Sequence, residues 1–556
     1  MTTEMTPPQT EKELIVAWKS WYEKTRATFC LDGGKYDGAL AEHPDGWYEG
    51  RHAAYVLGRL LAVRCWSDRL EMKTAEQDEL IRRCLAFIRR RQAPDGRLDL
   101  GGAYSPNEVG FTLPALAMGY RRLSELPGDP LADVRASLKE YLLLGADAVL
   151  RGDAYTANHR WTAAAAPLAA VHALWPDSRY LAKIEGYLAD GFDINEDGCW
   201  YEERSPNYNR VANSGVIVLA DALGRPELLD VVRRSLDFTS LFLQPNGEMD
   251  SSFSHRQDRG AANCRAMCYA HARRIALHTG DGRYSALARM AWESGDRGLD
   301  DLIPLLFEWD RDESPLPPEV APSTNFEKNL PASGLARIRH GQDALTLAAD
   351  AGNHFYDSVL QQWGGPRLSD DWFHLHHGNL VLQTIHLAAA GMTNIQPQTL
   401  EAVEPGHYRL GGLAPGWIHT LHFRPGRPKM LMEWNWRHAI DIKISEKVID
   451  LQIKSASEHS LIVDLIFWFR PGVEVAEGER PAETLTAGKK IALAGNAPVI
   501  IKTDRASLKI TGLPPSEHNR FIGNGPSIPS GIASQCGALF LGMRFPVDLV
   551  LKIELL

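Results

Sequence analysis

Over the first three hundred residues, apolar positions recur every three to four places. Leu14, Trp18, Trp21 and Tyr22 follow this spacing, as do Leu80, Ile81, Cys84, Leu85 and Ile88, and Leu228, Leu229, Val232 and Leu236. The period predicts amphipathic helices that each bury one stripe. Toward the C-terminus the period falls to two. Ile449, Leu451 and Ile453 alternate with Asp450, Gln452 and Lys454, and Val547, Leu549, Leu551 and Ile553 nearly repeat the pattern. Such segments, separated by Gly and Pro turns, predict an antiparallel β-sandwich with one face of each sheet buried.

Turn signals set the helical part in order. Asp45-Gly46, Asp95-Gly96, Arg151-Gly152, Asp197-Gly198 and Asn246-Gly247 recur about every 50 residues. A second set falls between them: Pro127-Gly128-Asp129, Trp175-Pro176-Asp177, Leu223-Gly224-Arg225 and Gly280-Asp281-Gly282. Two alternating turn sets of one period describe stacked antiparallel helix pairs. The expected architecture is an incomplete (α/α) toroid of about five to six helix pairs over residues 1–310. A linker carrying Pro315, Pro317, Pro318, Pro322 and Pro331 is expected over 311–333, and the β-sandwich over 334–556. Long polar stretches follow the first turn set, and short connections make up the second. Long loops gathered at one end of a rigid scaffold are where function concentrates.

Composition narrows the class. A chain of 556 residues exceeds one ordinary core, and 44% hydrophobic with 23% charged residues is a globular balance. The formal net charge of −10, with no basic stripe, argues against nucleic acid as partner. A local arginine cluster could still receive an acidic sugar. The seven cysteines are odd in number and none forms CxxC, so reduced buried thiols are expected; Cys264 and Cys268 alone make no zinc site. No apolar run reaches membrane-spanning length, and Met1 to Leu14 lacks the apolar core of a secretion signal, so a cytoplasmic protein with no membrane partner is expected. GxGxxG, GxxxxGK[ST] and GxSxG are all absent, which removes a nucleotide cradle and a nucleophile elbow. Oligomeric state is left open.

Three loops at the same end of the expected toroid concentrate chemistry. One holds Tyr155, Asn158, His159, Arg160 and Trp161; the next Glu202, Glu203, Arg204, Asn207 and Tyr208; the third Glu248, Asp250, His255, Arg256 and Arg259. This mixture suits β-elimination at a uronate. The C5 proton is weakly acidic, so the neighbouring carboxylate must be offset by donors or cations. A base then takes the proton and an acid protonates O4 as it leaves. Asn with Arg or His can do the first, and Tyr or His the rest.

The same residues carry a resemblance. Asn158-His159 at a helix start looks like the Asn-His element of heparinase II/III-like and oligoalginate lyases. Asp197-Gly198 through Glu203, Ser205-Pro206 and Tyr208 looks like their DG…E-x-S-P-x-Y element. The chain thus resembles the heparinase II/III-like superfamily of polysaccharide lyases, which joins a helical toroid to a β-sandwich. The resemblance implies carboxylate neutralisation by Asn158, a base or neutralising role for His159, and an acid role for Tyr208, with His255 a further catalytic candidate. Arg204, Arg256, Glu203, Trp161 and Tyr155 are then expected to bind substrate. The stretch from Asp371 to Leu380 looks like the family's H-x-H-x-x-D strand, which implies His374 near substrate and His376 as ligand of a structural divalent metal. The family's acidic residue is Asn379 here, and no second acidic ligand follows. No cofactor is needed for the chemistry.

Each residue also has an ordinary structural reading: Asn158 as a helix N-cap, Tyr208 as the cover of a helix end, the arginines as ion-pair partners, the histidines as buried polar groups. At the level of the chain, the leading expectation is cleavage of a 4-linked uronate glycan to a 4,5-unsaturated product. Two rivals stand beside it. An inverting glycoside hydrolase would need two carboxyl groups, drawn from Glu202, Glu203, Asp250, Asp99 and Glu108. A carbohydrate-binding protein would need none.

Overall fold

The computed structural model describes residues 7–40, 49–154, 156–201, 204–256, 258, 268–293, 314–349, 371–389, 393–394, 397–419, 430–522 and 535–556. They fall into two units. One comprises Met1–Ile194, Tyr208–Asp237 and Arg265–Pro322; the other comprises Asn195–Asn207, Phe238–Cys264 and Ser323–Leu556. This differs from the single boundary that composition suggested. Two loops of the helical part of the sequence group with the strands because their hydrogen bonds go there: Asn195 Nδ2 donates to Ser333 Oγ at 2.9 Å and Ser333 N to Asp197 Oδ2 at 2.8 Å.

The helical unit has α1 (Pro7–Arg26), α2 (Gly50–Cys65), α3 (Thr74–Arg91), α4 (Pro106–Gly110), α5 (Leu113–Leu123) and α6 (Ala132–Arg151). There follow a π-helix (His159–Ala165) that runs into α7 (Ala166–Leu174), then α8 (Ser178–Ala189), α9 (Pro206–Leu223), α10 (Leu229–Leu241), α11 (Tyr269–Thr279) and α12 (Gly282–Glu293). Helices α2, α5 and α7 pack side by side, and α3, α6 and α8 form a second row against them. The repeat is visible in the ion pairs of the second row. Arg82 reaches Asp133 at 2.8 Å and Arg89 reaches Glu140 at 3.0 Å, each pair 51 residues apart. Exposed pairs of this kind add little stability but mark register.

The Asp/Asn-Gly signals share one geometry. Ala93 N donates to Arg97 O and Gly96 N to Ala93 O; Asn195 and Gly198, then Gln244 and Gly247, repeat both bonds. Gly96, Gly198 and Gly247 take φ of +88°, +92° and +86°, which only glycine adopts without strain. Arg151-Gly152 is not such a turn. Gly152 has φ −79°, and glycine is needed there because a Cβ would lie 2.7 Å from Pro106 Cγ. Asp45-Gly46 lies outside the described residues.

Among the described residues the other unit contains two nine-stranded sheets. In one, Gly537–Arg544, Ile462–Phe469, Leu380–Ala389, Phe373–His377, Asp343–Ala348, Leu335–His340 and Asn325–Leu330 lie in that order, each antiparallel to the next, and Lys490–Ala492 runs parallel to Gly537–Arg544 at the edge. In the other, Val448–Ser457 lies between Val547–Leu555 and Met430–Ser445. Phe373, Leu375, Phe467 and Leu541 from the first sheet share a core with Ile440, Leu451, Ile453 and Leu551 from the second. That is the sandwich, and the Ile449/Leu451/Ile453 alternation points into it. The expected linker is shorter than proline counting suggested. Asn325–Leu330 is already a strand, ended by Pro331. Among the described residues no helix is long and apolar enough to cross a membrane.

Candidate functional site

In the helical unit, Asn158 is not the N-cap that its residue type suggests. Its backbone is helical, at φ −66° and ψ −38°, and its side chain makes no capping bond. Instead Thr156 Oγ1 donates to Asn158 Oδ1 at 2.6 Å. That bond occupies the carbonyl end and orients the amide so that Nδ2, which can only donate, points the other way. His159 opens the π-helix, a rare geometry that recurs at functional positions. Its ring is half-buried and meets the edge of Phe111 at 5.7 Å. Phe111 also lies 5.5 Å from the Arg51 guanidinium, which is paired with Glu108 at 2.6 Å.

Tyr208 occupies the first turn of α9 and is half-buried. The π-helix and α9 touch closely: Thr162 Oγ1 donates to Val211 O at 2.7 Å, and a Cβ at Gly215 would lie 2.6 Å from Trp161 O. Thr162 is about one turn beyond Asn158, and Val211 nearly one turn beyond Tyr208, so each candidate is within about a turn of this contact. His271 packs nearby on α11, its Nε2 at 2.9 Å from Ser214 Oγ. Burial, then the Arg210 charge, pushes its pKa down to about 3, so it stays neutral.

Trp161 departs from expectation. It is 0% exposed, stacks on Phe192 at 4.3 Å and donates from Nε1 to Asp193 Oδ2 at 3.0 Å. It is core and offers no face to a sugar; the sequence around it could not tell it from a platform. Tyr155 and Glu203 lie outside the described residues, as do Glu202 and Arg259.

In the sandwich unit, two loops are knitted together by Asp258, which sequence reading passed over. Its Oδ2 accepts from Ser205 Oγ at 2.8 Å and from Asn207 N at 3.1 Å, and its Oδ1 from Ser254 Oγ at 2.5 Å. The carboxylate thus satisfies an orphan amide at the start of α9 from another loop, a cap that no sequence window reveals. Arg204 stands just before this start in a left-handed conformation, φ +55°, and is 6% exposed. Its Nη1 donates to Ser333 O at 2.8 Å and Ala349 O at 2.7 Å; its Nη2 lies 2.6 Å from His255 Nε2. The expected substrate arginine is therefore spent on backbone carbonyls and a histidine. Arg256 is half-buried, its amide bonded to Ser254 Oγ at 3.1 Å.

The outer face of the first sheet carries a buried polar network. Asp250 Oδ2 accepts from Thr346 Oγ1 at 2.5 Å and lies 3.6 Å from Arg337 Nη1; Oδ1 accepts from Ser252 N at 2.9 Å and lies 3.8 Å from His374 Nε2. Burial alone would raise the Asp250 pKa. The charges of His374 and Arg337 and the two hydrogen bonds outweigh it and hold the group at about 2. Arg337 is also bonded to Gln244 Oε1 at 2.9 Å and Leu241 O at 3.1 Å, and burial, against the pull of Asp250, lowers its pKa to about 10.

His374 and His376 share this face, as strand alternation requires. His374 is 2% exposed, with Nδ1 on Gln383 O at 3.0 Å, so the structure shows it inside the network and not presented to a ligand. His376 is fully buried, and neither ring nitrogen has a hydrogen-bond partner. Burial, then the His374 and Arg470 charges, holds it neutral. The residues do not fit a metal centre. Asn379 is exposed on the following turn, bonded to Asp504 at 2.7 Å and to Thr503, and no group of three metal-ligating side chains occurs among the described residues.

The carboxylates offered for a hydrolase are all neutralised where described. Asp250 pairs with Arg337, Glu108 with Arg51, and Asp99, 0% exposed, with Arg91. An ionised carboxylate tied to an arginine is a poor general acid.

No family model matches the sequence, and no curated protein matches it. Solved structures do match the fold. A chondroitin AC lyase of Streptomyces coelicolor A3, solved with chondroitin sulphate, is 12% identical with a TM-score of 0.57, over 99% of this chain and 79% of that one. A heparinase III is 11% identical with a TM-score of 0.53, over 100% of this chain and 86% of that one. The chain therefore has the helical-plus-sandwich fold of these polysaccharide lyases.

Proposed function

We propose that this protein is a polysaccharide lyase that cleaves a 4-linked uronate in an acidic oligo- or polysaccharide by β-elimination. The observation that carries the reading is the tight contact of the π-helix with α9, one turn from both Asn158 and Tyr208. The Asn158 amide, aimed by Thr156, donates to the sugar carboxylate and lets charge accumulate there as C5 loses its proton. His159 or Tyr208 takes that proton as general base, and Tyr208 gives a proton to the departing O4 as general acid. The bond that breaks is C4–O4, and the electron pair left on C5 forms the C4–C5 double bond. No metal or redox partner enters the balance. The paired arginines at Asp250, Glu108 and Asp99 favour this reading over hydrolysis, and the chondroitin and heparin lyases of the same fold are in keeping with an acidic glycan.

The test is a panel of glucuronate-, iduronate- and mannuronate-containing polymers. Elimination gives a conjugated uronate absorbing at about 232 nm, which hydrolysis cannot give. Reducing ends that accumulate without this absorbance would end the lyase reading. Binding without any product would leave the protein a carbohydrate-binding module.

A further inference from the structure

We propose that Arg204 is a positioning residue that fixes His255 as the neutral tautomer with its proton on Nδ1. A guanidinium carries only donors and does not lose its proton in proteins. At 2.6 Å from Arg204 Nη2, His255 Nε2 can only be the acceptor. A protonated imidazole has no lone pair to offer there, and the Nε2–H tautomer would set two donors against each other. The remaining polar atom of the ring is then Nδ1–H, a donor. This is the reverse of the tautomer that imidazole prefers in water.

The lock is rigid because the guanidinium is held elsewhere. Its Nη1 is shared between the carbonyls of Ser333 and Ala349, at 2.8 and 2.7 Å. Its own backbone sits at φ +55°, a conformation that costs a non-glycine residue free energy and persists only where surroundings impose it. The strand turn at Ser333, the loop of Arg204 and the loop of His255 belong to one compact unit, so the chain of bonds lies within it. Sequence expectation made Arg204 a substrate ligand and His255 a catalytic group able to take a proton. The geometry assigns differently: Arg204 is bonded within the unit and acts through His255, whose ring it holds neutral with the proton on Nδ1.

Nitrogen-15 NMR of the full chain, labelled at histidine and with His255 assigned by its loss in His255→Gln, reads the tautomer directly. The expected spectrum shows a protonated Nδ1 and an unprotonated Nε2 at neutral pH. A protonated Nε2, or two protonated nitrogens, overturns the proposal. Arg204→Met should shift the ring toward Nε2–H while Arg204→Lys, which still donates, keeps Nδ1–H. If Arg204→Met does not fold, the wild-type spectrum alone decides.

Discussion

In the helical unit His159 and Tyr208 stand half-buried at the first turns of helices, with the buried Asn158 directly before His159. His159 opens a π-helix and Tyr208 lies in the first turn of α9. In the sandwich unit, groups of equal chemical promise lie flat against a sheet and are sealed. Asp250, Arg337, His374 and His376 are all nearly or wholly without exposure, and all but His376 have hydrogen-bond or ionic partners. The contrast separates use from residue type. A carboxylate held at about 2, against its burial, by a histidine, an arginine, a threonine and an amide is an architectural anion that fastens the Leu241–Ser254 segment to the sheet.

The comparison breaks first at Tyr208. Tyr208→Phe keeps the ring and removes the proton, so turnover should fall about 10²- to 10⁴-fold with stability within about 0.5 kcal/mol of the wild type. Product absorbance and chemical denaturation check both halves. A Phe variant retaining most of its turnover would move the acid elsewhere.

Arg337→Ala should do the opposite. Leaving the buried Asp250 carboxylate without its arginine, with only Thr346, the Ser252 amide and His374 beside it, costs about 3–5 kcal/mol, read as a lower denaturation midpoint. The linked pH effect has a definite sign. Asp250 is depressed in the folded protein, so its stabilisation is complete above the ordinary carboxylate pKa of about 4 and disappears as pH falls toward about 2. Between those limits it amounts to about 2 kcal/mol, and Asp250→Asn should remove that acid dependence. A sandwich transition equally acid-sensitive in both proteins would show that other carboxylates govern it.

How much of this was legible in sequence follows the same division. The period of apolar residues and the spaced Asp-Gly turns were enough for helix pairs and a sandwich, because both are local signals: Gly96, Gly198 and Gly247 adopt one φ for one steric reason. Alternation also put His374 and His376 on one face. Burial was not legible. Nothing in Asn-His-Arg-Trp distinguishes Trp161, at 0% exposure, from a sugar platform, because the difference is made by Phe192 and Asp193 from another segment. Asp258 and the Arg204–His255 pair were invisible for the same reason: the partners lie 51 to 53 residues apart. The grouping of the loops was not legible either, since sequence order says nothing about which surface a loop bonds to.

A smaller effect is expected at Gly215. A Cβ there would sit 2.6 Å from the Trp161 carbonyl, which is backbone and cannot rotate away. Gly215→Ala should cost about 1–3 kcal/mol as α9 is pushed from the π-helix. Turnover should fall along with stability, because the same displacement parts the turn bearing Tyr208 from the turn bearing Asn158. Lost stability with unchanged turnover would mean that the two turns need not be adjacent.

The finest distinction rests on Thr156. Its hydroxyl proton goes to Asn158 Oδ1 at 2.6 Å and has no apparent use except to aim that amide. Thr156→Val keeps the shape and removes the bond, so the amide can turn its carbonyl toward the place where its donors were needed. A net hydrogen bond of about 1 kcal/mol corresponds to roughly a fivefold loss of turnover. Thr156→Ser restores the hydroxyl and should restore the rate, whereas a purely steric role for Thr156 would favour Val over Ser. If both variants match the wild type in turnover and stability, the Asn158 amide is oriented by the helix alone, and the helical unit is less prepared than its hydrogen bonds suggest.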